Sequence, residues 1–196
     1  MNPFLRTFIA DRRGVATLEL VIWLPIYLLL LLGMVEAYEY CRTASVIDRT
    51  AYSLGNLVAE KAVLIDNASG TDSNDIGVFW SVAPQVAQPL DIQHRGTVIV
   101  TVVKDGGGAS PTPVIAWQRK PSWGAGDVSR VAPGNPLPAG FSFNKDDNTV
   151  IVEVFYHFSP FNAARTFWPS APVNQVFYRR VYFRPRFQNI DTLQAP

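Results

Sequence analysis

The feature that most constrains this chain is an apolar run near its N-terminus. Val15 to Val35 reads VATLELVIWLPIYLLLLLGMV, and Glu19 is the one carboxylate in it. At about 1.5 Å per residue, roughly 20 helical residues span ~30 Å, the thickness of a bilayer core. A soluble core helix rarely stays apolar on every face for that distance. The run therefore predicts a transmembrane helix over 15–35. Arg6, Arg12 and Arg13 precede it, opposed only by Asp11, and Glu36 and Glu39 follow it. The positive-inside rule then places residues 1–14 in the cytoplasm and the remainder outside. A cleaved secretory signal would have a shorter apolar region ending in a small-x-small site. Gly33-Met34-Val35-Glu36-Ala37 fits that pattern poorly, so the sequence favours a retained anchor. Pro25 removes one amide donor and predicts a local bend near Val21, which membrane helices tolerate.

The remaining composition narrows the function. The chain of 196 residues carries 17 Lys+Arg against 16 Asp+Glu, which argues against a dedicated nucleic-acid binder. With 48% hydrophobic residues it is too apolar to be intrinsically disordered. Its single cysteine, Cys41, excludes an intramolecular disulfide and a Cys-rich zinc site. His94 and His157 leave little material for His-based catalysis or a metal centre, and no nucleophile elbow or His-Glu zinc motif occurs. No cofactor, metal site or catalytic residue is expected.

Helical patterning continues past the apolar run. Ala37, Tyr40, Ala44, Ile47, Ala51, Leu54 and Val58 recur at spacings of three and four, the period of one helix face. This predicts a membrane-proximal amphipathic helix over 36–62. Its seam would pack on the protein's own sheet or on a partner helix. Residues 63–196 are expected to form an α+β domain. Asp66 to Asp75 (DNASGTDSND) reads as a loop, and its Asn67-Ala68-Ser69 glycosylation triplet is treated as part of that loop. Ile76–Val86 reads as a short second helix capped by Ser73 or Asn74 and ending near Pro89. About four strands follow: Thr97–Val103, Val114–Gln118, Asn148–Phe158 and Val176–Phe183. Gly106-Gly107-Gly108 lacks a following Gly-Lys-Ser/Thr, so a phosphate loop is excluded. Ser122–Gly140, dominated by Gly and Pro, reads as an irregular excursion. The stretch holding Phe167, Trp168, Pro169 and Pro172 reads as a loop. Arg179, Arg180, Arg184 and Arg186 alternate with Phe177, Tyr178, Tyr182, Phe183 and Phe187. That alternation fits either a single-strand nucleic-acid platform or an ordinary strand whose arginines pair with neighbouring acids. A near-neutral chain favours the strand, and a protein-docking edge is a further reading.

One string carries a more specific signal. A short basic leader ends in Arg12-Arg13-Gly14, and Val15-Ala16-Thr17-Leu18-Glu19 opens the apolar helix. A glycine followed five residues later by a glutamate at the head of such a helix is similar to a type IV prepilin processing site. The longer string RRGVATLELVIWLPIYLLLLLGMVE resembles the start of the TadE/TadF-like pseudopilins, minor pilins of the tight adherence (Tad/Flp) type IVc pilus system. Asp48–Leu54 (DRTAYSL) and Val150–Phe161 are similar in character. The resemblance implies a pilin-like α+β fold, a long N-terminal helix followed by an antiparallel sheet. It implies cleavage by a prepilin peptidase between Gly14 and Val15, with Glu19 the fifth mature residue and used in assembly. It also implies partners among other pilin-like subunits, inner-membrane pilus assembly proteins and membrane lipid, and no nucleic acid. The expected location is a bacterial inner membrane, single-pass, with a periplasmic domain. Leu20 departs from the tyrosine frequent after the glutamate in major pilins of this system, which points to a minor component. The competing readings are an unprocessed membrane-anchored scaffold and a membrane-anchored hydrolase.

Overall fold

The computed structural model describes residues 15–161, 174–187 and 189–196. The leader with Gly14, and the loop with Phe167, Trp168, Pro169 and Pro172, lie outside these. The chain forms two compact units, Met1–Cys41 and Arg42–Pro196. Helix α1 (Val15–Ala59) begins in the first and ends in the second. Pro25 sits within it without interrupting it. Over residues 17–41 the apolar side chains are exposed, for example Leu29 at 70% and Met34 at 72%. α1 is long and apolar enough to cross a membrane.

The second unit is α+β. After α1 come α2 (Gly77–Val86), α3 (Ile92–Arg95), β1 (Gly96–Asp105), β2 (Pro113–Arg119), β3 (Asn148–Phe158) and β4 (Gln175–Phe183). The strands form one antiparallel sheet in the order β2-β1-β3-β4. Its register aligns Val100, Val152 and Val181 in one row and Ile99, Glu153 and Arg180 in the next. Opposed residues share a face, and adjacent rows face opposite sides.

The face carrying Val98, Val100, Val102, Val150, Val152 and Val154 packs against Ile47, Ala51, Leu54 and Val58 of α1 and Phe79 and Ala83 of α2. The amphipathic seam thus packs on the protein's own sheet, but only from Ala44 onward; Ala37 and Tyr40, at the head of the same stripe, are exposed. Thr50 is buried in this seam because its hydroxyl donates back to the Val46 carbonyl at 2.8 Å. α1 ends where the backbone N–H of Arg186 donates to the Ala59 carbonyl at 2.9 Å. One of its terminal acceptors is thereby satisfied.

The opposite face is covered too. Val103 and Ile151 are sealed by Val131 and Leu137, with Phe141 and Phe143 alongside. The Gly/Pro-rich stretch after β2 is therefore irregular in backbone yet serves as the second covering layer. This explains why β3 (NTVIVEVFYHF) reads as a nearly unbroken apolar run: it is buried on both faces.

One expectation needs correction, and one element is additional to those expected. Neither Ser73 nor Asn74 caps α2. Its N-cap position is Ile76, with no side-chain cap. The adjacent Asp75 instead turns into the preceding loop, where its buried carboxylate accepts from the Asp72 N–H at 2.9 Å, Asn67 Nδ2 at 3.1 Å and Ser69 Oγ at 3.3 Å. The short helix α3 was not anticipated. Asp91 caps it by accepting from the His94 N–H, which also explains the pairing of the exposed His94 ring with Asp91.

Candidate assembly site

The head of α1 holds the residues singled out by sequence. Gly14 lies outside the described residues, and Val15 is the first residue of the helix. Glu19 follows one turn later and is exposed. Glu19, Leu20, Trp23, Leu24 and Tyr27 line one recess along the helix. Glu19, Trp23 and Tyr27 are spaced by four, so they lie one above another. The Trp23 and Tyr27 rings are in contact, with centroids 6.2 Å apart and planes tilted by 34°. The first basic residue after Glu19 along the chain is Arg42. Arg42 stands more than 20 residues further along the same helix, out of reach, and a carboxylate in an otherwise apolar strip is costly in a membrane interior unless something outside the strip pairs with it. The recess therefore presents one acid acceptor beside an aromatic and aliphatic surface. Cys41 is a free, exposed thiol further along α1.

In the domain, the arginine-aromatic strand resolves into ion pairs. Arg179 pairs with Asp48 of α1, joining β4 to the helix. Arg184 reaches Asp147 at 3.0 Å and Arg186 reaches Glu60 at 2.9 Å. Arg180 reaches Glu153 at 3.3 Å. These side chains are matched to acids of the same chain, as the ordinary-strand reading expects.

Glu153 was missed by sequence reasoning. Its side chain is fully buried, yet it stands at the centre of a polar network. It accepts from the Ser129 hydroxyl, the Arg130 N–H at 3.0 Å and the Tyr178 hydroxyl at 2.7 Å, besides Arg180. Arg130 lies over the Tyr178 ring, 4.3 Å from its centroid. Burial first, and then the bond to Glu153, push the Tyr178 phenol well above its ordinary range, so it stays a donor. The network ties Ser129 and Arg130 of the covering segment to the middle of the sheet. The one signal available was a carboxylate inside VIVEVF, since a buried charge demands partners.

His157 Nε2 lies 3.0 Å from the Asp127 carboxylate, a second link between β3 and the covering segment. Among the described residues no group of three or more His, Cys, Asp and Glu is suited to hold a metal. Asn67, of the glycosylation triplet, is engaged within its loop: its Oδ1 accepts from the Ser69 N–H at 3.0 Å and its Nδ2 donates to Asp75.

Residues 14–52 match the TadE-like protein family. The match begins at Gly14, includes Val15 and Glu19, and runs along α1 to Tyr52. Over that span it bears out the resemblance carried by the leader glycine, the helix-head glutamate and the apolar run. No curated protein and no solved structure gives a match.

Proposed function

We propose that this protein is a minor pilin (pseudopilin) of a tight adherence pilus, processed by a prepilin peptidase and taking part in pilus assembly or priming. The observation that carries the reading is the family match to residues 14–52, laid over an exposed apolar helix with one carboxylate near its head. In this reading Gly14 is the last leader residue, because a residue without Cβ lets the backbone approach a membrane protease closely. Val15 becomes the new N-terminus. Glu19 then pairs with the Val15 amine or a polar group of a neighbouring subunit, which offsets the cost of its charge in an apolar setting. The basic leader lies in the cytoplasm and the domain in the periplasm. The partners are other pilin-like subunits and the inner-membrane assembly proteins. TadE-like proteins are structural, pilin-like components, and the reading assigns this chain no catalysis.

The deciding measurement is the mature N-terminus of the protein expressed in a host with the cognate peptidase. A chain starting at Val15, with cleavage abolished by Gly14→Trp, is the expected result. A chain still starting at Met1 would favour an unprocessed anchored scaffold, and one starting beyond Val35 a secreted domain. Either overturns the reading.

A further inference from the structure

The domain contains a cleft that the assembly reading does not use. It measures about 560 Å³ and opens between α2, α3 and the segment leaving β2. Its walls are fixed by contacts already made. Gly77, at the start of α2, sits against the Ala68 carbonyl so closely that a Cβ there would fall 2.3 Å from the oxygen. Asp66 accepts three bonds from Arg119, at 2.6, 3.0 and 3.2 Å, clamping the same loop to the end of β2. That guanidinium holds the Asp66 carboxyl below the usual carboxylate range. A cleft whose walls stand before any ligand arrives is the usual form of a small-molecule site.

The lining is rich in donors. Among the described residues Lys120 is the one charged side chain on it, and there Lys120 Nζ reaches only the Asp127 carbonyl, at 3.4 Å. Trp80 is 8% exposed, yet its indole N–H meets no acceptor among the described residues and is not sealed from solvent. Buried indoles normally find a partner, as Trp117 does by donating to the Ile190 carbonyl at 2.7 Å. Trp123, also on the wall, has no acceptor among the described residues either. Gln93 and Ser122 stand exposed at the rim. No Asp or Glu lines the cleft among the described residues.

We infer that this cleft binds an acidic saccharide. A sugar ring presents apolar C–H groups to the half-buried Trp123 indole and hydroxyls to the amide and hydroxyl at the rim. Its carboxylate answers Lys120 and the unmatched Trp80 N–H with charge-assisted bonds. A peptide is a poorer fit, because the main-chain ladder by which extended peptides gain affinity needs a strand edge, and no strand residue lines the cleft. The inference stands apart from the pilus reading and survives or fails independently of it.

The test is calorimetric titration of the full-length protein in detergent micelles with trigalacturonate, neutral cellotriose and a tri-aspartate peptide. Saturable binding of trigalacturonate, at least tenfold tighter than that of cellotriose, is expected. Lys120→Gln should weaken it about tenfold. Trp80→Phe, which keeps the apolar body and removes the N–H, should weaken it about threefold or more. Lys120 is exposed, so its variant remains informative if Trp80→Phe fails to fold. No binding of trigalacturonate overturns the inference. Equal affinity for cellotriose removes its acidic part, tighter binding of the peptide replaces its ligand class, and unchanged affinity in Lys120→Gln places the binding elsewhere.

Discussion

Two carboxylates, Glu19 and Glu153, are each set in apolar surroundings and solve the problem in opposite ways. Glu153 is matched within its own chain, by Arg180, Tyr178, Ser129 and the Arg130 N–H. Glu153→Leu would leave Arg180 without its carboxylate, with only the Tyr178 and Tyr182 hydroxyls among the described residues to accept from it, and the three neutral donors without this acceptor; breaking a buried ion pair from one side costs about 3 kcal/mol. Urea unfolding should show a loss of that order, with faster proteolysis within residues 120–140, the segment the network holds down. A loss under about 1 kcal/mol would mean that the carboxylate contributes little beyond its volume. Glu19, by contrast, has Leu20, Trp23, Leu24 and Tyr27 around it on α1. An acid at the centre of a membrane helix costs about 2.5–3.5 kcal/mol on insertion scales, and less near an end. Leucine would serve a simple anchor better. Glu19→Leu should therefore insert and be cleaved after Gly14 as before, while pilus assembly or co-purification with pilin-like partners falls. Glu19→Gln should be intermediate, keeping hydrogen bonds without the charge. Assembly at the parent level in Glu19→Leu would reduce Glu19 to an acid that reaches the interface and does nothing more.

Elements were legible in proportion to how local their cause is. The four strands follow from β-branched and aromatic runs, and α1 from an apolar run continued by a three-four stripe; neither needs knowledge of distant residues. α3 was illegible because four residues hold no period, and its only mark is the Asp91 cap. The cover over the second sheet face was illegible because Val131, Leu137, Phe141 and Phe143 are scattered through Gly/Pro-rich chain. Their common face exists only after folding. The same holds for Glu153, whose partners lie more than 20 residues away in sequence. Helix-sheet contact also depends on one residue that no periodicity marks. A Cβ at Gly55 would lie 2.3 Å from Phe183 Cε2 and 3.3 Å from Val181 Cγ2. Gly-to-Ala in a helix interior gains about 1 kcal/mol of propensity, whereas forcing bulk into a packed contact costs about 1–3 kcal/mol. Gly55→Val should therefore destabilise the domain by about 1–3 kcal/mol. In a Phe183→Ala background the 2.3 Å clash is gone and only the 3.3 Å approach to Val181 Cγ2 remains, so Gly55→Val should cost less there than in the parent. A double-mutant cycle with no coupling between positions 55 and 183 would show that the close approach has no energetic weight.

At the scale of the whole molecule, the proposed function rests on which side of the membrane the domain occupies. The basic residues of the leader, Arg6, Arg12 and Arg13, and the acidic Glu36 and Glu39 after the apolar run set a charge asymmetry from which the proposed reading puts the leader in the cytoplasm. Cys41 gives a single-site probe of that assignment. It is the chain's one cysteine, it follows the apolar run by only a few residues, and its thiol is free and exposed. No internal disulfide competes for it. In cells whose outer membrane has been permeabilised but whose inner membrane is intact, a membrane-impermeant maleimide should label the protein, and Cys41→Ser should abolish the signal. The labelled species should also be the processed one starting at Val15, because the proposed reading joins cleavage after Gly14 to a domain outside the inner membrane. Labelling that appears only after the inner membrane is opened would put Cys41 in the cytoplasm. That reverses the topology on which the proposed function rests.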